Sequence, residues 1–344
     1  GGTDNTISAT STSSAVWGFQ NNIDANNALA FGTNNTVTGE NGFAGGNNAT
    51  AAGRNSFAFG SHAESLVEYT VAIGNQARVS SYDSVAIGNG AFVSGESSVA
   101  LGRTNNVTGE NSVAIGANNG TVAGGQSAVV GYNNKIGSDK EQLVFGSNSE
   151  SSGQGALVFG THAKAVAMDA VAFGNNTIAD KPNAVAIGTN SVTDDAVGVD
   201  GITINGTRHV FAGEQPASVV SFGSKARAGA GGVTQYNRQL TNVSAGQISA
   251  DSLDAVNGSQ LFAAVDEIET NAKQIAKNKQ NIKDVAVGLN MLGDVVNDHE
   301  QAIAGNTTAI ANNTNRINGN TSAINSLGQK VTANTADIRA LEHV

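Results

Sequence analysis

The chain has 344 residues, with 43 glycines, 2 prolines, no cysteine and a formal net charge of -10. The absence of cysteine excludes disulfides and thiolate metal sites. No run of basic residues marks a surface for nucleic acid or anionic membrane, so neither is an expected partner.

A short apolar phrase ending in glycine recurs through the first part of the chain, as in Ser84-Val85-Ala86-Ile87-Gly88. Such regular repetition is typical of a solenoid. Fourteen residues hold two short strands and two tight turns, so each repeat predicts one coil of an all-β solenoid. The interval is 14 residues except for two steps of 15, and the closing glycines are Gly18, Gly32, Gly46, Gly60, Gly74, Gly88, Gly102, Gly116, Gly131, Gly146, Gly160, Gly174 and Gly188.

Side chains alternate across a strand, so Val85 and Ile87 share one face and Ala86 lies on the other. We place the large pair inside the coil and the alanine outside, where a recurring small residue would let another subunit approach closely. The alternative is that the alanine is only a tolerated exposed residue. A smaller hydrophobe from the opposite strand, five residues after the glycine, is expected to close the core: Ile23, Val37, Val79, Val93, Val107 and Ile136.

Most coils carry a polar side chain two residues after the closing glycine. Stacked coils would set these side chains about 4.7 Å apart, as a ladder that can pair amides along the solenoid. The favoured alternative is turn chemistry, because asparagine tolerates left-handed backbone angles. The asparagines at this position are Asn34, Asn48, Asn118, Asn133, Asn148, Asn176 and Asn190.

The period stops after Gly188, and the pattern changes. Ile202 and Ile204 alternate with polar residues around Asn205-Gly206, which predicts a strand and hairpin. The glycine-rich stretch 223–232 predicts a flexible surface loop.

From Leu261 onward, apolar residues recur with an unbroken heptad spacing. β-Branched residues dominate position a, and polar residues are frequent at position d, which favours more than two helices; we predict three. We therefore divide the chain into four segments: a β-roll head of about thirteen coils (1–198), an inserted hairpin and glycine-rich loop (199–236), a neck (237–260) and a trimeric coiled-coil stalk (261–344).

The junction between solenoid and helix carries the most specific motif, Asn237-Arg238-Gln239-Leu240-Thr241-Asn242-Val243-Ser244-Ala245-Gly246. This motif resembles the neck of trimeric autotransporter adhesins of Gram-negative bacteria. The coils resemble the YadA-type head, and Phe211-Ala212-Gly213-Glu214 is similar to part of the ubiquitous-surface-protein adhesins. The resemblance implies a homotrimer of left-handed parallel β-rolls above a coiled coil, anchored in the outer membrane. This chain is then expected to be the exported, distal part, exposed at the cell surface.

By the same resemblance, the expected function is adhesion to host extracellular-matrix proteins such as collagen, fibronectin or laminin, or to a host-cell receptor. The phrases beginning at Asn111-Ser112 and at Asn183 resemble the head phrase linked to collagen binding in the YadA type. Residues near Asn111, Ser112 and Asn183 are therefore candidate ligand contacts. Because the phrase also forms the fold, it does not single out collagen.

The stalk repeats Ile/Val-x-x-Asn-Thr, which resembles stalks whose inward amides hold a chloride-like anion on the axis. The alternative is that these asparagines only fix register and strand number. The asparagines followed by threonine are the stronger candidates: Asn306, Asn313, Asn320 and Asn334. The two without it, Asn271 and Asn278, are weaker candidates.

Residues for catalysis or metal binding are not found in a convincing arrangement. His62 and His162 share one position in the repeat but lie seven coils apart, and His299 at position d favours a polar layer over an ion site. Three aspartates could bind calcium, but we expect them to cap turns instead, because no EF-hand loop surrounds them: Asp194, Asp195 and Asp200. We therefore predict no enzyme activity and no metal or organic cofactor.

Two other classes of protein are considered. Trimeric left-handed β-helix acyltransferases also stack short coils, but their hexapeptide coils repeat near 18 residues, whereas this chain repeats at 14. A purely structural or ice-binding fibre would explain a regular asparagine ladder. Such a fibre would need a flat threonine-rich face, which the sequence lacks, and would have no need of a neck and stalk.

Overall fold

A computed structural model describes residues 1–225 and 235–342 of the chain. The chain forms two compact units, the first comprising Gly1–Val243 with Ile248–Asp254 and the second Ser244–Gln247 with Ala255–Val344. The first unit is built of strands and the second contains one long helix.

The strands are short and alternate in length along the solenoid. In chain order they are β1 (Gly2–Thr3), β2 (Thr6–Ile7), β3 (Ala15–Phe19), β4 (Asn22–Ile23), β5 (Leu29–Thr33), β6 (Thr36–Val37), β7 (Phe43–Asn47), β8 (Thr50–Ala51), β9 (Phe57–Phe59), β10 (Glu64–Ser65), β11 (Val71–Ile73), β12 (Arg78–Val79), β13 (Val85–Ile87), β14 (Phe92–Val93), β15 (Val99–Arg103), β16 (Asn106–Val107), β17 (Val113–Ala117), β18 (Thr121–Val122), β19 (Ala128–Tyr132), β20 (Lys135–Ile136), β21 (Leu143–Ser147), β22 (Glu150–Ser151), β23 (Leu157–Thr161), β24 (Lys164–Ala165), β25 (Val171–Phe173), β26 (Ile178–Ala179), β27 (Val185–Ile187), β28 (Gly201–Ile204), β29 (Thr207–Val210) and β30 (Val220–Ser221).

The strands of successive coils pair in parallel. The odd-numbered strands from β1 to β27, followed by β30, form one long sheet among the described residues. The even-numbered strands form a second face in two sheets, β2 to β18 and β20 to β26. Equivalent residues lie side by side, so that Ala86 pairs with Ala72 and with Ala100. The predicted parallel β-roll of 14-residue coils is confirmed.

The interior of each coil is narrower than we expected. Ala86 is fully buried and faces inward, whereas Val85 is half-buried and Ile87 is exposed on the outer face. Our placement of the Val/Ile pair inside the coil, and of the alanine at a subunit contact, was therefore wrong. The space between the two strands of one short coil is narrow and packed without spare volume, so alanine fills the inward position in most coils and valine in a few, as at Val129, Val144 and Val158.

The opposite strand closes the core as predicted. The hydrophobe five residues after the glycine is buried at Ile23, Val37, Val79, Val93 and Val107. Where this position holds Ala51, Ser65, Ala165 or Thr193, that smaller side chain is also fully buried. The core is thus a thin column of small side chains running the length of the solenoid.

The closing glycines allow the coils to stack closely. At Gly102 the backbone has φ +106, and a Cβ atom there would lie 1.8 Å from the carbonyl oxygen of Gly116 in the next coil. Any side chain would therefore separate the two coils, in addition to straining the left-handed backbone.

Each coil turns through two left-handed residues, one five residues before the closing glycine and one two residues after it. At the second position Asn34 has φ 55 and Asn118 has φ 54. Asn48, Asn133, Asn148, Asn176 and Asn190 adopt the same conformation. Turn chemistry is therefore confirmed for these asparagines, and some of them also pair between coils, as Asn133 Nδ2 does with Asn148 Oδ1 at 2.7 Å.

After the coils, β28 and β29 form an antiparallel hairpin around Asn205-Gly206, and β30 then returns to the long sheet beside β27. The hairpin predicted from the Asn-Gly pair is present. Of the predicted flexible loop 223–232, residues 226–232 lie outside the described residues. The boundaries of the four predicted segments stay a prediction.

The helix α1 spans Gly258–Leu341, without interruption. Asn257 caps it in a capping box, accepting from the Gln260 backbone N–H at 3.3 Å while Gln260 Oε1 accepts from the Asn257 N–H at 3.2 Å. The same Gln260 side chain bonds the backbone of Gly246. No described helix is both long and apolar enough for a membrane crossing.

An ionic ladder lies on the second face, where Glu150 sits between lysines of the two neighbouring coils. Its carboxylate is 2.8 Å from Lys135 Nζ and 3.4 Å from Lys164 Nζ. The hydrogen bond from Lys135 is the main cause that lowers the pKa of Glu150; partial desolvation opposes it, and Lys164 adds to it.

We expect Ala100→Leu to destabilise the head, because Ala100 is fully buried between Ala86 and Ala114. Overpacking of this kind costs about 1–3 kcal/mol, or more in a narrow core. Thermal unfolding followed by circular dichroism measures the effect. Leu101→Ile, at the next residue on the outer face, is the matched control and should melt close to the parent. Equal melting of both variants would contradict the inward orientation of the alanines.

We also expect the stability difference between the parent and Glu150→Gln to depend on pH. Because the folded-state pKa of Glu150 is lowered, the stabilisation is fully present above the usual glutamate pKa of about 4.3 and is lost as the pH falls through the lower folded value. The difference should be at most about 1 kcal/mol at neutral pH, because the lysines are exposed. Melting curves at neutral and acid pH test this. Glu96→Gln, at a carboxylate without an ion pair in the described residues, should show no such convergence.

Candidate functional site

A stripe of large apolar side chains runs along the outside of the long sheet. We call it the outer stripe; it consists of the residues one and three positions before each closing glycine. Their exposure follows from the alternation of the strand, because the narrow interior takes the residue between them, an alanine in most coils and a valine in a few. Its most exposed members are Trp17, Leu29, Phe31, Phe59, Ile87, Ile115, Phe145 and Phe173, with 37–63% of each residue accessible.

Aromatic rings of the outer stripe stack between coils. The rings of Phe43 and Phe57 are 4.6 Å apart and nearly parallel, and those of Phe145 and Phe159 are 5.5 Å apart. Phe159 continues the second stack to Phe173 at 5.8 Å. The stacked rings form two apolar patches, one over two coils and one over three, within the outer stripe. Soluble monomers rarely expose a patch of more than a few hundred Å², so this surface indicates a contact with another chain.

A ladder of asparagine amides lies inside the solenoid, three residues after the closing glycine. Asn119 Nδ2 donates to Asn105 Oδ1 at 3.3 Å, and Asn134 Nδ2 donates to Asn119 Oδ1 at 2.9 Å. Asn119 Nδ2 also donates to the carbonyl oxygens of Ile115 and Gly131. These amides satisfy buried backbone groups and join the coils, so the ladder is structural. It lies one residue beyond the position at which we considered a ladder.

The head residues proposed as ligand contacts differ in accessibility. Asn111 and Asn183 are exposed and adopt the left-handed turn conformation, with φ 53 and 57. Ser112 is fully buried, and its hydroxyl donates to the carbonyl oxygens of Glu110 and Gly124 at 3.0 and 3.1 Å. The prediction that Ser112 itself contacts a ligand at the surface was therefore wrong, because its side chain points into the coil. A ligand role of Asn111 and Asn183 stays a prediction.

The helix places the stalk asparagines at regular seven-residue intervals on one side. None of its residues is buried in the single chain. The apolar seam at position a is just as open; Ile303 and Ile317 have 64% and 62% of their surface accessible. A helix with such a seam gains stability by packing against other helices.

Three of the threonines that follow these asparagines donate a hydrogen bond to a backbone carbonyl of the same helix, namely Thr307, Thr314 and Thr335. Thr307 Oγ1 donates to the Ile303 carbonyl at 2.8 Å, and Thr335 Oγ1 to that of Val331 at 2.7 Å. Among the weaker candidates, Asn278 Oδ1 accepts from Gln274 at 2.8 Å. Anion binding by Asn306, Asn313, Asn320, Asn334, Asn271 and Asn278 stays a prediction.

The aspartates considered for calcium each pair with a basic side chain. Asp195 lies 2.8 Å from Lys181 and Asp194 lies 3.2 Å from Lys225. Asp200 pairs with Arg208 across the hairpin at 2.7 Å. The hydrogen bond with Lys181 lowers the pKa of Asp195 and raises that of the lysine. These carboxylates therefore hold local structure together.

Arg238 has a role that the sequence did not reveal. Its guanidinium donates to Ser191 Oγ at 2.9 Å and to the carbonyl oxygens of Phe222 and Thr189, and it lies against Gly188. It thus covers backbone acceptors at the last coil. The only available signal was its position in the neck motif.

The chain matches two models of one protein family. The YadA head domain repeat matches residues 24–49, 38–63, 68–91, 94–119, 151–177, 165–191 and 179–195. The coiled stalk of trimeric autotransporter adhesin matches residues 239–284. Over 84 residues the chain is 43% identical to the autotransporter adhesin BtaE of Brucella suis biovar 1, an overlap of 24% of this chain and 10% of BtaE.

Two solved structures are also similar. The C-terminal YadA-like domain of BPSL2063 from Burkholderia pseudomallei is 34% identical, covers 37% of this chain and 49% of its own, and has a TM-score of 0.27. The collagen-binding domain of the Yersinia adhesin YadA is 24% identical, covers 58% of this chain and 83% of its own, and has a TM-score of 0.34. The chain therefore spans about a tenth of BtaE and about half of the Burkholderia domain. Because head and stalk models of one family match successive parts of the chain, it belongs to the trimeric autotransporter adhesins.

Proposed function

We propose that this chain is part of a bacterial surface adhesin that attaches the cell to host extracellular-matrix proteins or to a host-cell receptor. The match of the solenoid coils to the adhesin head repeat is the observation that carries the proposal. A long, repetitive and rigid surface suits attachment, because many weak contacts along it add together. The role is non-enzymatic, and the site of action is the outside of the outer membrane.

The working form is a homotrimer. Two independent surfaces of the single chain support this: the outer stripe of the head and the open a/d seam of the stalk. The outer stripe and position a of the seam are apolar, and identical chains would cover both surfaces at once. Isoleucine-rich position a with polar residues at position d favours three helices over two.

The oligomeric state can be measured directly. We expect sedimentation equilibrium or light scattering of the purified protein to give the mass of three chains at micromolar concentration. Phe159→Lys, in the middle of a ring stack of the outer stripe, should weaken the association of the head, whereas Lys164→Ala, on the second face, should leave it unchanged. A monomeric parent protein would contradict the architecture.

The ligand surface follows from this assembly. If the outer stripe is covered by the other chains, a host protein meets the second face and the turns, where Asn111 and Asn183 are exposed. The candidate ligands are collagen, fibronectin, laminin and a host-cell receptor. The alternatives of a β-helix acyltransferase and an ice-binding or purely structural fibre have no comparable support.

A binding panel tests the function. Immobilised collagen, fibronectin, laminin and receptor ectodomains are probed with the purified trimer, and we expect saturable binding to at least one. Asn111→Gly and Asn183→Gly preserve the left-handed turns while removing the amides, so they separate ligand contact from folding. Absence of binding across the panel would contradict adhesion by this part of the protein, and thermal hysteresis would favour the ice-binding alternative.

We further propose that the stalk trimer binds chloride ions on its axis. In a trimer, three amides at each of Asn306, Asn313, Asn320 and Asn334 would meet at the centre, and their N–H groups would line a small cavity. A buried donor without a partner costs a few kcal/mol, so an anion in the cavity would offset the desolvation of the amides. Chloride is thus the one small component that we expect in the assembly.

Replacing these four asparagines with isoleucine tests the anion proposal. We expect a higher melting temperature, because apolar layers remove the desolvation cost, and a less uniform helix register. Exchange of chloride for a bulky anion should lower the melting temperature of the parent but not of the variant. Asn312→Ala, at an outward heptad position, is the control. An anion-independent parent, or only water at all four layers in a well-resolved structure, would rule out the site.

A further inference from the structure

Six Asn-Gly pairs occur in the sequence: Asn41-Gly42, Asn89-Gly90, Asn119-Gly120, Asn205-Gly206, Asn257-Gly258 and Asn318-Gly319. An asparagine followed by glycine is the pair most open to spontaneous deamidation, because glycine has no Cβ to shield its backbone nitrogen. That nitrogen attacks the amide carbon of the asparagine side chain. The fold decides which pairs can react, since both groups must be free to approach each other.

The three pairs in the solenoid are held by hydrogen bonds. Gly42 N–H donates to the Gly39 carbonyl at 3.0 Å and Gly90 N–H to the Asn75 carbonyl at 2.8 Å. Gly120 N–H donates to the Asn134 carbonyl at 2.8 Å. Each of the three asparagine amides is also engaged: Asn41 with Asn55, Asn89 with Asn75, and Asn119 within the buried ladder.

The two pairs in the helical unit are held by the helix. Asn257 Oδ1 accepts from the Gln260 N–H and from the Ser259 hydroxyl as part of the N-terminal cap. Asn318-Gly319 lies inside α1, where the helical hydrogen-bond ladder engages the glycine N–H and fixes the backbone.

Asn205-Gly206 lies outside both the solenoid coils and the helix. It forms the tip of the β28–β29 hairpin, with φ 49 at Asn205 and 80 at Gly206, and both residues are exposed. Neither the Asn205 amide nor the Gly206 N–H makes a hydrogen bond to any described residue. No heavy atom outside the immediate sequence neighbours comes within 4 Å of a Cβ built at Gly206. Every residue of β29 is exposed, and an isolated two-stranded hairpin is marginally stable, so its turn opens readily.

We propose that Asn205 is a site of spontaneous deamidation and isoaspartate formation. The deprotonated Gly206 nitrogen forms a bond to the Asn205 Cγ atom, and the bond from Cγ to Nδ2 breaks, releasing ammonia and leaving a five-membered succinimide. Water then opens the imide at either carbonyl, giving aspartate or isoaspartate. The net reaction consumes one water and releases one ammonia, with no oxidant or reductant.

The modification changes the hairpin in two ways. It adds a negative charge at the turn, three residues before Arg208, which pairs with Asp200. In the isoaspartate product, the backbone runs through the former side chain and gains one methylene group. A two-residue turn of this type requires left-handed angles at both central residues, so the lengthened turn no longer pairs Ile204 with Thr207. The inserted hairpin thereby becomes a segment of the chain that changes covalently with age.

Peptide mapping by mass spectrometry tests the proposal on the purified 344-residue chain, held at mildly alkaline pH and physiological temperature. Conversion of amide to acid is followed at all six asparagines, and isoaspartate is labelled with protein isoaspartyl methyltransferase. We expect Asn205 to react several-fold faster than Asn41, Asn89 or Asn119. In denaturant the six rates should converge, because the fold no longer protects five of them.

Two variants serve as a matched pair. Asn205→Gln should abolish most of the isoaspartate label, and Asn89→Gln should leave it unchanged, with both proteins keeping the melting temperature of the parent. The proposal is overturned if Asn205 in the folded protein reacts no faster than the solenoid pairs, or if the label persists in Asn205→Gln.

Discussion

The narrow interior of the coil is the constraint on which the rest of the head depends. In most coils the two strands leave room for an alanine on one side and for a single valine or isoleucine on the other, and a buried valine replaces the alanine at Val129, Val144 and Val158. Every larger hydrophobe is therefore placed outside. This placement leaves each subunit with a large apolar surface exposed to water. Because burying that surface is favourable, association with identical chains contributes to the stability of the fold.

Close packing of the coils is achieved with polar as well as apolar groups. Many of the buried serine hydroxyls and asparagine amides bond the backbone of a neighbouring coil, as Ser98 Oγ does with the Gly109 carbonyl at 2.8 Å. Such contacts satisfy backbone groups that a thin core would otherwise bury without partners. The head thus depends on repeated local bonds between adjacent coils more than on a large hydrophobic core, which is the usual arrangement in solenoids.

The period of the glycines was enough to predict the solenoid, and the heptads were enough to predict the helix, because both depend only on spacing. The orientation of the strands was not predictable from hydrophobicity, since valine, alanine and isoleucine are all apolar and alternation fits either face. Which face of the strand points inward is decided by whether its side chains are small enough for the width of the coil. At the candidate site, Ser112 was misjudged for the same reason, and Arg238 could not be found because its contacts lie 47 and 49 residues away in sequence.

The in-register stacking of the coils also has a consequence for how such a protein changes over generations. A coil pairs only with the coil before it and the coil after it, and equivalent residues pair at both contacts. A genetic exchange between two copies of the repeat would therefore add or remove whole coils and rejoin surfaces that already fit. In this way the length of the head can vary by recombination without a new core having to evolve.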